Sequence, residues 1–199
     1  MRILAFSDLH TDLDQAARLT EMSREADVVI GAGDFASIHN GLEATIEALS
    51  GIETPTVLVA GNNETLDALE EAAAGWTAAT VLHGDSVEIE GTNFFGLGGG
   101  IPVTPWDWSY DVEEGEAESL LADLPEGGVL VVHSPPKGHC DEAGNGLSLG
   151  STAIRKAIED KQPKLAVCGH IHESWGKTSK LGETEIANLG PKGTFFTLT

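Results

Sequence analysis

The first third of the chain alternates short apolar runs with segments whose apolar residues recur at helical spacing. The runs Ile3 to Phe6, Val28 to Gly31 and Val57 to Ala60 have the length and composition of buried strands. Helical periodicity follows each run, in residues 13–20, 42–49 and 66–73. Strands that alternate with helices are typical of a parallel sheet with crossover helices. The pattern therefore predicts the order β-α-β-α-β-α, and Thr11 with Asp14 predicts a capping box at the first helix.

The rest of the chain predicts a second group of strands and two further helices. Three runs with no helix between them, 80–82, 86–90 and 93–97, are separated by turn residues. Gly98 to Gly100 opens a loop that carries Trp106, Trp108 and Tyr110. The remaining predictions are a helix at 113–124, a strand at 129–132, a Pro/Gly loop at 134–146, a helix at 151–160, a strand at 165–168 and a terminal hairpin from 184–187 and 194–198. We interpret residues 1–199 as one domain with two sheets.

The composition is strongly acidic. Among 199 residues, 32 Asp and Glu stand against 11 Lys and Arg, a formal net charge of −21. Binders of nucleic acids neutralise phosphates with clustered cations, so this balance disfavours a nucleic-acid partner. At about 1 M salt the Debye length falls to about 3 Å, which makes a dense acidic surface tolerable. The composition is therefore typical of cytoplasmic proteins from salt-adapted, halophilic organisms, with an ordinary acidic protein as the alternative.

The sequence also bears on the compartment. The N-terminal apolar run passes directly into Ser7 and Asp8, which leaves no room for a signal peptide. No apolar run approaches the length of about 20 residues that a membrane span needs. Cys140 and Cys168 are too few for a disulfide scaffold. We therefore expect a cytoplasmic protein that has no membrane partner.

Polar side chains follow five of the predicted strands, at the point where each strand ends. They are Asp8 and His10, Asp34, Asn62 and Asn63, His133, and His170 and His172. Taken singly, each has a structural explanation, such as a helix cap for the two asparagines or a core position for His133. In open α/β sheets, however, sites form outside the carboxyl ends of the strands. The joint occurrence predicts that these side chains converge.

The residue types indicate which ligand this site would bind. Carboxylates, imidazoles and an amide oxygen, without a thiolate, suit Mn, Fe, Zn, Ni or Co rather than a structural zinc. Seven donors are too many for one tetrahedral ion unless a carboxylate bridges two ions. The set therefore predicts two divalent ions about 3.5–4 Å apart, an arrangement used in phosphoryl hydrolysis.

The same residues resemble the motif set D-x-H, G-D, G-N-H-[D/E], H and G-H-x-H of calcineurin-like metallophosphoesterases. The matching segments are Asp8-Leu9-His10, Gly33-Asp34, Gly61-Asn62-Asn63-Glu64, His133 and Gly169-His170-Ile171-His172. The segments around His133 and His170 look most like those of the small Icc-related phosphoesterases. The resemblance implies an α/β fold, a four-layer α/β/β/α sandwich with two mixed β-sheets.

The resemblance also implies roles for the site residues. Asp8, His10 and His172 would hold the first metal ion, and Asn62, His133 and His170 the second, with Asp34 bridging. Manganese is the ion we expect. The implied reaction is attack of a metal-bridging hydroxide on the phosphorus of a small phosphoester, either a diester or a monoester.

The chain departs from the family pattern at one position. Asn63 stands where the family has a histidine that can protonate the leaving group, and an amide cannot deliver a proton near neutral pH. Three alternatives follow: a substrate with a good leaving group, a proton from another histidine, or lost catalysis. His39 and His139 are the candidate substitute acids, because each follows a ligand on the same loop, whereas we expect His83 to be an ordinary surface histidine.

Our leading hypothesis is a metal-dependent phosphoesterase that acts on diesters or nucleotide-like substrates. The rival is a metal-binding but catalytically silent interaction module, which Asn63 and the aromatic loop motivate. A nuclease is disfavoured because the basic surface is missing. The side chains of Trp106, Trp108 and Tyr110 leave three roles open: stacking on a base, a contact within a homo-oligomer, or burial against the sheet.

Overall fold

Two β-sheets pack face to face, and helices cover the outer face of each sheet, in a computed structural model that describes residues 1–199. The strands are β1 (Arg2–Phe6), β2 (Val28–Ala32), β3 (Thr56–Val59), β4 (Ala79–Val81), β5 (Asp85–Ile89), β6 (Thr92–Leu97), β7 (Val129–Val132), β8 (Leu165–Cys168), β9 (Thr178–Leu181), β10 (Thr184–Asn188) and β11 (Thr194–Thr197). The helices are α1 (Leu13–Met22), α2 (Leu42–Leu49), α3 (Leu66–Ala73), α4 (Glu114–Leu120) and α5 (Thr152–Lys161). None of these helices has the length and apolar character to cross a bilayer.

The first sheet has the strand order β11-β1-β2-β3-β4. Strands β1 to β4 run parallel, and β11 pairs with β1 in the antiparallel sense. Helices α1, α2 and α3 each follow one of the first three strands, as the alternation of the sequence predicts. The predicted β-α-β-α-β-α order is confirmed.

The second sheet has the order β5-β6-β7-β8-β10-β9. Its four central strands, β6, β7, β8 and β10, are parallel, while β5 and β9 add antiparallel pairs at the two edges. Both sheets are therefore mixed. The carboxyl ends of β7 and β8 emerge at one edge of this sheet.

Three apolar clusters separate the layers. Leu4 and Phe6 pack with Leu19 of α1 on the helical side of the first sheet, whereas Ile3 of the same strand packs between the sheets. A third cluster joins the second sheet to α4 and α5, with Ile154 at its centre. Because β1 is buried on both faces, its sequence is continuously apolar rather than alternating. The layers are α/β/β/α, and the predicted fold class is confirmed.

The predicted terminal hairpin is wrong. β10 pairs with β8 and β9 in the second sheet, whereas β11 crosses to the first sheet and pairs with β1. β10 instead forms a hairpin with β9, a strand that the hydrophobic pattern does not predict. The segment between β10 and β11 carries the chain from one sheet to the other, and Gly190 N within it donates to Ser7 Oγ at 2.9 Å.

The predicted capping box at α1 is also wrong. Asp12 is the N-cap, and its side chain accepts a hydrogen bond from Gln15 N at 2.9 Å. Thr11 lies one residue earlier, with a φ of 69° in the left-handed region. The loop between β1 and α1 therefore carries the chain through a turn before the helix begins.

Packing between the sheets gives a test of the fold. Ile30 is fully buried in the cluster between the two sheets, whereas Leu13, at the start of α1, is 46% exposed. We expect Ile30→Ala to lower the free energy of unfolding by about 2–5 kcal/mol, because it leaves a cavity between two rigid layers. Leu13→Ala should change it by less than about 0.5 kcal/mol. Urea unfolding followed by circular dichroism measures both, and equal effects would contradict the assigned layers.

Candidate metal centre

The carboxyl ends of five strands, β1, β2 and β3 of the first sheet and β7 and β8 of the second, meet at one edge of the sandwich. The residues that follow these strands form two clusters of donor atoms, and within each cluster the atoms lie within 4.8 Å of one another. The first cluster contains Asp8, His10 and His172, and the second contains Asp34, His133 and His170. The sequence pattern predicts that these side chains converge, and they do.

Asp34 lies between the two clusters. Its Oδ2 is 3.6 Å from His10 Nε2, and its Oδ1 is 3.4 Å from His133 Nε2. Asn62 belongs to the second cluster, with its Oδ1 3.0 Å from His170 Nδ1 and 3.3 Å from His133 Nε2. All seven predicted ligands therefore lie in two adjacent clusters, and the Asp34 carboxylate lies between an imidazole of each cluster.

Two of the imidazoles are oriented by backbone carbonyl groups. His133 Nδ1 lies 2.8 Å from Ala32 O, and His10 Nδ1 lies 3.1 Å from Ala36 O. When Nδ1–H donates to a carbonyl, Nε2 is the lone-pair nitrogen that can bind a metal ion. In both rings this nitrogen faces Asp34.

The protonation states of the cluster suit cation binding. Burial, followed by the negative charge of Asp8, raises the pKa of Asp34 to about 7. Burial and the neighbouring imidazoles lower the pKa of His170 to about 3, and burial is also the main reason for the lowered pKa of His172. These histidines are therefore neutral at pH 7, the form that ligates metals. Divalent cations would relieve the repulsion between the two buried carboxylates.

Glu64 braces the loop that presents Asp34. Its buried carboxylate accepts hydrogen bonds from the backbone N–H groups of Gly61 (2.7 Å), Asp34 (2.8 Å) and Ala36 (2.9 Å). Burial and the charge of Asp34 raise the pKa of Glu64 to about 7. Glu64 lies in one of the motif segments, where the sequence pattern predicts no role for it. Its position directly before Thr65, the N-cap of α3, is the one local signal in the sequence.

Two further residues support Asp8. Its Oδ2 accepts hydrogen bonds from Ser7 Oγ at 2.5 Å and from Trp175 Nε1 at 3.1 Å. The Trp175 ring also lies 4.2 Å, between centroids, from the ring of His172. Trp175 thus contacts two members of the first cluster, although no sequence pattern singles it out.

A chain of hydrogen bonds fixes the amide of Asn62. Its Nδ2 donates to Ser109 Oγ at 2.9 Å, and Ser109 Oγ donates to Asp111 Oδ1 at 2.7 Å. Asp111 Oδ2 in turn accepts from the backbone N and the hydroxyl of Thr104. Because Nδ2 is engaged on one side, the oxygen of Asn62 faces the histidines of the second cluster. The aromatic loop is thereby tied to the candidate metal centre.

Four of the seven clustered residues have left-handed backbone conformations. The φ angles are 55° for Asp8, 44° for His10, 59° for Asp34 and 67° for His170. Such conformations cost free energy for residues other than glycine and concentrate at functional sites. Gly61 explains part of the geometry, since a Cβ there would collide with the backbone nitrogen of Asp34.

Asn63 is buried beside this cluster, and both ends of its side-chain amide are engaged. Its Nδ2 donates to Asp34 Oδ2 at 2.7 Å, and its Oδ1 accepts from Ile38 N at 2.9 Å. Its backbone N also donates to Asp34 Oδ1 at 2.9 Å. Asn63 therefore orients the central carboxylate.

The three remaining histidines lie outside the cluster. His39 is exposed, with Nε2 2.6 Å from Trp108 O, and His139 Nδ1 lies 3.1 Å from Ser179 Oγ on β9. Neither lines the cleft that borders the two clusters. His83 is half buried with its ring 6.2 Å from that of Tyr110, so the expectation of an ordinary surface histidine needs correction.

One cleft of about 650 Å³ borders both clusters. His10, Asp34, His170 and His172 line it together with residues of the aromatic loop. A two-sheet sandwich with this arrangement of histidines and carboxylates at the strand ends defines a metallophosphoesterase-like architecture.

Comparison with known families agrees with this assignment. Residues 1–195 match the calcineurin-like phosphoesterase superfamily domain, and the chain belongs to that superfamily, which confirms the resemblance of its motifs. A UPF0046 protein of Caenorhabditis elegans is 30% identical over 131 residues, which are 62% of this chain and 33% of the relative. Metallophosphoesterase domain-containing protein 1 of Homo sapiens is 26% identical, over 88% of this chain and 61% of the relative. The chain thus spans one third to three fifths of the length of these relatives.

Solved structures show the same fold. A protein from Thermus thermophilus superposes with a TM-score of 0.75 at 18% identity, covering 96% of this chain and 90% of that one. A dimetal phosphatase from Danio rerio gives a TM-score of 0.65 at 15% identity, covering 96% and 88%.

The raised pKa values make the stability of the metal-free protein depend on pH. Asp34 and Glu64 both have a pKa of about 7 when folded, against about 4 in an unfolded chain. The folded state binds these protons more tightly, so the stability they contribute is complete below about pH 4 and is lost as the pH rises through about 7.

Because the lowered pKa of His170 acts in the opposite direction below about pH 6.5, we expect the urea midpoint in EDTA to fall between about pH 6.5 and pH 8.5. Asp34→Asn should make this fall smaller. Glu47→Gln, which removes one charge from an exposed position of α2, is the matched control and should behave like the wild type. The same fall in all three proteins would mean that overall surface repulsion, rather than the buried carboxylates, sets the pH dependence.

Proposed function

We propose that this chain is a phosphoesterase that depends on two divalent transition-metal ions. Asp8, His10 and His172 would hold one ion, Asn62, His133 and His170 the other, and Asp34 would bridge them. The observation that carries the proposal is the position of Asp34, within 3.6 Å of an imidazole nitrogen of each cluster. A carboxylate with one oxygen toward each cluster has the geometry of a bridging ligand.

The metal ions would supply a water of lowered pKa and would neutralise charge on the phosphate oxygens. The donor set contains nitrogen and oxygen but no thiolate, which suits Mn, Fe, Zn, Ni or Co, and Mn²⁺ is our first choice. The chain itself holds the rings of His133 and His10 in place through Ala32 O and Ala36 O, and it orients Asp34 through Asn63 and Glu64.

The leaving group receives no proton from position 63, because the Asn63 amide is engaged by Asp34 and Ile38. His39 and His139 stay predictions as substitute acids. His39 lies closer to the site in the fold, since its backbone N donates to Asn63 O at 2.8 Å and its ring contacts the aromatic loop. Solvent is the other source of the proton, and it suffices where the leaving group is stable as an anion.

Hydrolysis and metal content test the proposal together. Protein purified with Mn²⁺ should contain about two metal ions per chain and should hydrolyse bis-p-nitrophenyl phosphate or p-nitrophenyl phosphate. Higher KCl should lower KM, because screening reduces the repulsion between an anionic substrate and a chain of net charge −21. Asp34→Asn should lower kcat/KM by at least about a hundredfold, above the 10- to 100-fold typical of residues that only support ligands.

Two outcomes would contradict the proposal in different ways. Two bound metal ions without hydrolysis of either ester would favour the silent binding module. No bound metal in the presence of excess Mn²⁺ would reject the metal centre itself. Activity that is equal in the wild type and in Asp34→Asn would mean that a contaminant is responsible.

The hydrogen bonds that fix Asn62 give an independent test of the second cluster. Ser109→Ala should weaken binding of one of the two Mn²⁺ ions by about tenfold, because Asn62 loses the acceptor that orients its amide. Ser109→Thr keeps the hydroxyl and should retain the affinity.

Calorimetric titration of the metal-free protein with Mn²⁺ measures both sites. Ser119→Ala is the control, since that hydroxyl bonds only to Gly115 O on α4. If Ser109→Ala binds both ions as tightly as Ser119→Ala does, the hydrogen bond from Asn62 does not position a ligand.

A further inference from the structure

The cleft beside the metal centre has an apolar side that the proposed metal chemistry does not use. Ile38, Val103, Trp106 and Leu149 line it, and each is 44–50% exposed. These are four of the six large apolar side chains that the fold leaves exposed. Exposed apolar surface in a cleft marks a ligand site, so the presence of these four side chains in one cleft indicates that it binds an apolar group.

The charges along the cleft are equally informative. No Lys or Arg lines it, and apart from the proposed ligand Asp34 its one carboxylate belongs to Glu173. A second or third phosphate would therefore have no cationic partner and would meet a negative charge. Only a phosphate held at the metal centre fits, so the remainder of the ligand carries no further negative charge.

Trp106 is presented in a fixed orientation. Its ring stacks on that of Trp108, with centroids 5.5 Å apart and an angle of 9° between planes. The carbonyl of Trp108 contacts the His39 ring at 2.6 Å, and Asp111 anchors Thr104 earlier in the same loop. One face of Trp106 is thus covered by Trp108, and the half-exposed ring is held ready for a second flat partner.

Ile38 extends the apolar side toward the candidate metal centre. Its φ is 46°, a left-handed conformation that is costly for a β-branched residue, and its N–H is held by Asn63 Oδ1. The residue that orients Asp34 therefore also fixes an apolar side chain at the edge of the cleft. The Asn63 side-chain amide thus positions both Asp34, at the candidate metal centre, and Ile38, on the apolar side of the cleft.

We propose that the cleft binds esters of a single phosphate with a flat, uncharged aromatic group. The phosphate would lie at the metal centre, and the aromatic ring would contact Trp106, Val103 and Leu149. This inference rests on the proposed function, since it names the substrate class of the same site.

The chemistry at Asn63 agrees with such a substrate. In hydrolysis, the oxygen of one water bonds to phosphorus, and the P–O bond to the aromatic group breaks with both electrons leaving on the aryloxide. One proton of that water passes through solvent to the aryloxide, and the other stays with the phosphate. A phenol has a pKa of about 10, far below that of water. An aryloxide can therefore leave as an anion, and no acid is needed at position 63.

Binding of two phosphonates tests the inference without relying on turnover, because a P–C bond is not hydrolysed. Calorimetry with the Mn²⁺-loaded protein should show phenylphosphonate binding at least about tenfold more tightly than methylphosphonate, in line with aromatic stacking on a tryptophan. Trp106→Ala should remove most of this preference, and Trp106→Phe should keep it. Leu149→Ala should reduce it, while Leu147→Ala, an exposed leucine of the same loop that does not line the cleft, should leave it unchanged.

The inference is overturned if the two phosphonates bind equally to the wild type, if Trp106→Ala keeps the preference, or if Leu147→Ala lowers it as much as Leu149→Ala does. An unchanged urea midpoint for Trp106→Ala shows that the variant is folded. Hydrolysis of methyl p-nitrophenyl phosphate separates the two proposals. Hydrolysis without an aromatic preference rejects only the substrate class, whereas a Trp106-dependent preference without hydrolysis rejects only the catalytic function.

Discussion

The structure depends on keeping two like-charged carboxylates, Asp8 and Asp34, buried close together. Burial and the charge of Asp8 disfavour the ionised form of Asp34 and raise its pKa. Hydrogen-bond donors such as Ser7, Trp175 and Asn63 satisfy the carboxylate oxygens, and four imidazoles surround them. No Lys or Arg lines the cleft, so no cationic side chain there offsets the two carboxylates.

The two-sheet sandwich is what makes this concentration of charge possible. Parallel strands of both sheets end at one edge, and the packing between the sheets fixes how far apart those ends lie. His133 shows the connection directly, because it follows β7 of the second sheet while its ring contacts Ala32 O at the end of β2 in the first. Apolar packing between the two sheets therefore determines where the ring nitrogens of His133 lie. Left-handed backbone at Asp8, His10, Asp34 and His170 accompanies the turn of these side chains toward the centre.

Much of this arrangement could be predicted from the sequence, because its main signals are local. Apolar runs followed by polar residues mark the strand ends, and the five motif segments supply the seven clustered residues. The supporting residues could not be predicted, since Trp175 meets Asp8 across 167 positions and Ser109 meets Asn62 across 47. The local sequence pattern also failed for β10 and β11. The glycines between them predict that the chain turns, but they do not predict which sheet β11 joins. Asn63 is recognisable as a departure, yet its hold on both Asp34 and Ile38 is visible only in three dimensions.

The pairing of β11 with β1 has a consequence for how the chain reaches this state. Arg2 lies opposite Thr197, so the first sheet is closed by residues from opposite ends of the sequence. Such non-local pairing is slow to form, because a long loop must close before the contact stabilises anything. During synthesis β1 can pair with β2 early, but its other edge stays open until β11 has emerged. An apolar strand with one open edge is prone to pair with other chains, so this protein's exposure to aggregation is concentrated in the interval before β11 docks.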